Sequence, residues 1–132
     1  MSVSKNNIVL FVGPCTEDSL RAFRDLEKHL ERKLRVAFLM DKKAELKHPE
    51  LESQCDFIFR VDAKKVAAAE TVLMPIKDEV MVVTCRAAFS MPLYARLIAL
   101  FPRLIMPNSD SIEWCSNKLA MRRKFRRYFP EI

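Results

Sequence analysis

Cys15 and Cys85 are the side chains best placed for nucleophilic chemistry, because each stands just past an apolar run that reads as a buried strand. A thiol nucleophile needs a base, and neither His29 nor His48 lies where it could serve one. Both cysteines therefore read as buried structural thiols. Cys15, Cys55, Cys85 and Cys115 lie 30 to 40 residues apart with no C-x-x-C pair, which argues against zinc and for free thiols in a reducing cytosol. No catalytic acid–base pair and no metal-ligand set emerges from the rest of the chain.

Lys118 raises a different question. The segment "NKLAMRRKFRRYFPEI" (117–132) carries six positive charges between Lys118 and Arg127 and no acid among them. Read as one helix beginning near Asp110, it places Trp114, Met121, Phe125, Tyr128 and Phe129 on one apolar face about 100° wide. Arg122, Arg123, Lys124, Arg126 and Arg127 spread over the remainder as a solvated face. Lys118 falls inside the apolar stripe, four residues after Trp114. There it either snorkels to the edge or meets an anion in a partly enclosed place.

The net charge of +6 belongs almost wholly to this end. Of 23 Lys and Arg, six lie in 118–132 against Glu131 alone, so the body before them is nearly neutral. Nucleic acid is disfavoured as a partner, because the arginines surround the helix without a defined stripe and no exposed aromatic alternates with them. A membrane-surface helix is disfavoured because its apolar face is wanted for packing on a sheet. No signal peptide opens the chain, and no apolar run approaches the ~18 residues of a membrane span, so a cytoplasmic location is expected.

Such residues need a frame. At 132 residues and 50% hydrophobic, the chain can fold as one domain that buries about two-thirds of its unfolded surface. "NIVLFVG" (7–13), "RVAFLMD" (35–41), "DFIFRVD" (56–62), "DEVMVVTC" (78–85) and the short "RLIMP" (103–107) read as strands. A helix capped by Thr16 carries Leu20, Phe23, Leu26 and Leu30 on one stripe, and "KKVAAAETVL" (64–73) is a second helix stopped before Pro75. Ser90 caps a third, with Pro92 in its first turn and Leu93, Leu97, Ile98 and Phe101 along it. Asp110-x-x-Glu113 has the spacing of a capping box for the last helix. In "KKAELKHPELESQC" (42–55), Pro49 divides two weak helical turns.

Strands alternating with helices on short connections predict an α/β, Rossmann-like three-layer domain: a mostly parallel sheet of about five strands with helices on both faces. Ligands of such sheets bind beyond the carboxyl ends of the strands, here Gly13-Pro14-Cys15, Asp41, Asp62 and Thr84-Cys85-Arg86. Dinucleotide binding is disfavoured. Its fingerprint needs three glycines where the whole chain has one, and Asp41 lies 28 residues past Gly13, beyond the ~20 expected of a ribose-binding acid. A phosphoacceptor site would need an acidic cluster after the first strand. "GPCTED" offers only Glu17 and Asp18, which suit the first turn of a helix.

The order of pieces in 78–130 resembles the junction where the amino-terminal domain of an ATP-grasp ligase passes into its nucleotide-binding domain. The matching features are Val82-Val83-Thr84, Tyr94-Ala95-Arg96-Leu97, Met106-Pro107-Asn108-Ser109, Asn117-Lys118, Met121-Arg122 and Phe129-Pro130. For 1–77 the resemblance rests on the order of elements alone. It implies a pre-ATP-grasp, Rossmann-like domain over 1–108 and, over 109–132, a helix leading into an ATP-grasp domain beyond Ile132. Family enzymes use ATP and magnesium to convert a carboxylate to an acylphosphate, which an amine-type nucleophile attacks. By resemblance Lys118 would reach the ATP phosphates, while Gly13, Pro14, Cys15, Thr84, Cys85 and Arg86 would form substrate-side loops. Two departures stand out: Gly13-Pro14-Cys15 replaces a glycine-rich turn, and Arg86-Ala87-Ala88 stands where many members have an acid. On this reading the chain is inactive alone, its main partner is the ATP-grasp domain of the same polypeptide, and Phe125, Tyr128, Phe129 and Ile132 are left partly uncovered, which favours a homodimer. The alternative is a free-standing Rossmann-like module that binds a protein or an anionic partner through the basic helix.

Overall fold

The computed structural model describes residues 6–45 and 48–131. Strand β1 (Ile8–Val12) is five consecutive apolar residues, all buried, so it needs cover on both faces. Strands β2 (Arg35–Asp41), β3 (Phe57–Val61) and β4 (Val80–Thr84) join it in one four-stranded parallel sheet of order β3-β2-β1-β4. Alternate side chains enter two separate cores, as the two-residue period of a strand requires. Ile8, Leu10, Val12, Ala37 and Leu39 belong to one, while Val9, Phe11, Val36, Phe38 and Met40 belong to the other.

Helix α1 (Glu17–His29) begins at Thr16, whose Oγ1 accepts the Ser19 backbone N–H at 3.3 Å. Its Leu20 and Phe23 are buried in the second core, whereas Leu26 and Leu30 remain more than a third exposed, so only the first half of the stripe is covered. Helices α2 (Val66–Leu73) and α3 (Met91–Leu97) supply Ala69, Leu73, Leu93 and Leu97 to the first core.

Four expectations need correction. Residues 103–107 form no strand, and the sheet has four strands rather than about five. Pro102 and Pro107 bracket that segment and lack ladder donors, Ile105 projects fully into solvent, and only Leu104 and Met106 lean on the core. Ser90 precedes α3 but makes no capping bond, because a short 3-10 turn, Ala88–Ser90, already leads its backbone into helical geometry. The last helix is two: α4 (Ser109–Ser116) and α5 (Lys118–Tyr128), broken at Asn117, where φ is −103° and ψ is 93°. The cap of α4 is Asn108, whose Oδ1 accepts the Asp110 N–H at 2.8 Å, and not Asp110 itself.

Within 42–55, Pro49 opens a single 3-10 helix, Pro49–Gln54, with Leu51 buried; Leu46 and Lys47 lie outside the described residues. No helix among the described residues is long and apolar enough to cross a membrane.

Candidate functional site

The sheet order has a consequence for where a ligand can sit. Chain order runs outward from β1 through β2 to β3, then returns to the far side of β1 with β4, so the topological switch point lies between β1 and β4. The loops leaving these strands are Gly13-Pro14-Cys15 and Thr84-Cys85-Arg86, two of the segments singled out from the sequence. Asp41 and Asp62 leave the neighbouring strands β2 and β3.

Gly13, the chain's single glycine, makes that meeting possible. Its φ of +91° is a left-handed conformation that side chains resist, and its N–H donates to the Leu39 carbonyl at 2.7 Å. A Cβ there would strike the Ser90 hydroxyl and approach Ser90 Cβ to 2.9 Å. Gly13 thus serves close approach between the two loops.

Arg86 holds them together from the other side. Its Nη1 donates to Ser19 Oγ at 3.0 Å, and the Ser19 hydroxyl also pairs with Thr16 Oγ1 at 3.1 Å, so the guanidinium is tied to the first turn of α1. Arg86 lines two clefts. One, of about 630 Å³, runs past Pro14, Cys15, Thr16, His48 and Phe89. The other, of about 560 Å³, is bounded by Met91, Pro107, Ile112, Cys115 and Lys118. The break at Asn117 matters here: it makes Lys118 the first residue of α5, exposed at the wall of the second cleft. The structure therefore brings Lys118 and Arg86 to one cavity, an arrangement suited to an anionic ligand. Lys118 does not lie within a packed apolar stripe, because no residue of α5 is buried.

The thiols are poor nucleophiles. Burial pushes Cys15 up to about 11, against the opposing pull of the Arg86 charge, and raises Cys85. Cys15 is buried and Cys85 half-buried, while Cys115 is exposed at the second cleft. Among the described residues no group of His, Cys, Asp and Glu could hold a metal ion. Asp41 is committed to the backbone: its carboxylate accepts from the Ala63 and Lys43 N–H groups, both at 2.9 Å, and those bonds lower its pKa.

His48 and Phe89 were missed from the sequence. Phe89 carries the one available signal, an aromatic in the short loop after β4; His48 comes from the irregular stretch before Pro49, where spacing carries no register.

Helix α5 packs on α4, and Leu119, Phe125, Tyr128 and Phe129 are each about half exposed or more. The expectation that its apolar face packs on the sheet is therefore corrected; Ile132 lies outside the described residues. Compared with known proteins, the chain matches no family model and no curated protein.

Proposed function

We propose that this chain is the substrate-side, amino-terminal domain of an ATP-dependent ligase of the ATP-grasp type, acting on a carboxylate and an amine-type nucleophile. The observation that carries the reading is the shared cleft of Lys118 and Arg86. The lysine that resembles the family's phosphate-binding residue stands beside the loop that would hold substrate. On this reading Lys118 contacts the ATP phosphates, where a compact ammonium stabilises charge on the transferring group. Gly13, Pro14, Cys15, Thr84, Cys85 and Arg86 shape the substrate side. ATP with magnesium supplies the activation of the carboxylate, and an ATP-grasp domain supplies the remaining nucleotide and metal contacts. The finer architecture we assign is three-layered, with residues 1–108 as the pre-ATP-grasp domain and 109–132 leading into its partner domain. The setting we assign is cytoplasmic.

The test begins with the native polypeptide in its source cells, detected by an antibody against residues 1–132. A band several-fold heavier than 15.4 kDa is expected, and in that enzyme Lys118→Ala should cut ATP consumption by about 100-fold, the effect of losing one preorganised charge contact. A native band at 15.4 kDa would overturn the reading.

A second reading, a free-standing Rossmann-like module with a basic binding helix, is favoured by one observation. Among the described residues no ion pair engages Lys118, Arg122, Arg123, Lys124, Arg126 or Arg127.

A further inference from the structure

The break at Asn117 redirects Trp114. On one continuous helix Trp114 would stand over Met121 and Phe125. Instead the Lys124 ammonium lies 4.5 Å from the centre of the indole ring, and the two helices enclose an open groove of about 520 Å³. Its walls are Trp114, Ala120, Arg123, Lys124, Arg127 and Tyr128: two aromatics, three cations and no acid. Asn117 maintains this corner from both sides, since its N–H closes α4 on the Glu113 carbonyl at 3.0 Å and its Oδ1 accepts the Ala120 N–H at 3.0 Å.

We propose that this groove binds single-stranded nucleic acid. A base has an apolar face for stacking and a phosphate on each side, and the groove offers both complements within one wall. Tyr128, 65% exposed, is the stacking platform. Arg123 and Arg127 take the flanking phosphates, and Lys124 either remains on the indole or yields its place to a second base. One uninterrupted helix would keep its aromatics apart from its cations; the groove at the corner sets Trp114 and Tyr128 among them. Arg122 and Arg126, exposed on the same helix, extend the positive surface beyond it. A lipid surface fits less well. At about 100° per residue Met121, Phe125, Tyr128 and Phe129 share one face of α5, but Leu119 falls away from it between Arg126 and Arg123. The groove opens on the cationic side of the helix, with Tyr128 at its edge, rather than on the apolar face a bilayer would take. The proposal is independent of the ligase reading, which uses the cleft of Lys118 and Arg86.

Trp114 is the chain's only tryptophan and lines the groove, so its fluorescence reports occupancy directly. The 132-residue chain is titrated with a short oligothymidylate, with thymidine monophosphate, and with vesicles of phosphatidylserine and phosphatidylcholine. The oligonucleotide should quench Trp114 with an affinity that falls with salt at a logarithmic slope of about −1.4, the value for two phosphate contacts on a single strand. Tyr128→Ala should weaken binding by about 5- to 100-fold, Tyr128→Phe should restore it, and Arg127→Gln should make the salt slope shallower. These side chains are exposed, so unchanged circular dichroism separates a lost contact from a lost fold. Quenching by vesicles but not by oligonucleotide, equal affinity for the mononucleotide, no response at all, or binding indifferent to Tyr128→Ala would each overturn the proposal.

Discussion

The Arg86 guanidinium donates to the Ser19 hydroxyl across 67 residues of sequence, and this bond ties the turn after β4 to the first turn of α1. Ser19 is 6% exposed although it is polar, and its hydroxyl is satisfied by Arg86 and Thr16 together. Arg86 keeps its remaining N–H donors for the two clefts it lines.

Ser19→Ala should therefore cost about 1 kcal/mol of stability, since it removes a buried hydroxyl that accepts from a charged donor. Arg86→Ala should cost less, because Thr16 still partners Ser19 and the guanidinium is exposed. Urea denaturation of both single variants and the double variant gives their coupling, expected at about 0.5 kcal/mol. A coupling of zero would mean that solvent replaces the bond without loss and that Arg86 is not anchored.

Gly13→Ala should be more damaging than its size suggests. The residue sits at φ +91°, and the added Cβ would meet Ser90 before it met anything yielding. The expected loss exceeds about 1 kcal/mol, made up of conformational strain and displacement of the β4–α3 loop. Pairing the change with Ser90→Gly should recover the steric share and leave the strain. Equal losses in the single and double variants, read as urea midpoints, would show that the two loops do not press on one another there.

The central strands β1 and β2 were legible because they are nearly unbroken apolar runs bounded by polar or turn residues, a pattern that needs no partner to be recognised. Thr16 was legible for the same local reason. The break at Asn117 was not. Asn is tolerated inside a helix and favoured at its caps, and here it caps α5 at the Ala120 N–H while Ile112 of α4 packs into the core beside α3, a long-range contact that periodicity does not contain. The misread strand at 103–107 has a similar origin: Leu104 and Met106 show the alternation of a strand, yet the segment pairs with no strand of the sheet. At the candidate site the two loops could be placed from the rule for parallel sheets. The placing of Arg86 and Lys118 on one cleft could not, because Lys118 reaches it at the corner made by Asn117.

The thiols offer a check on the packing of the second core. Burial pushes Cys15 up to about 11 and Cys55 up to about 12, whereas Cys115 is exposed. Iodoacetamide at mildly alkaline pH should therefore modify Cys115 first and Cys15 and Cys55 last, as read by peptide mass spectrometry. The same shifts fix the sign of a pH dependence. A thiol ionises near its ordinary 9.0 in the unfolded chain but only near 11 or 12 in the folded one, so above pH 9.0 the unfolded state binds fewer protons and is favoured. Stability from these groups is complete below pH 9.0 and should fall as the pH rises towards 11. Urea midpoints should decline over that interval, and the decline should be shallower in Cys15→Ala and in Cys55→Ala. If both variants keep the full slope, other groups cause the alkaline loss and the thiols are more hydrated than their burial implies.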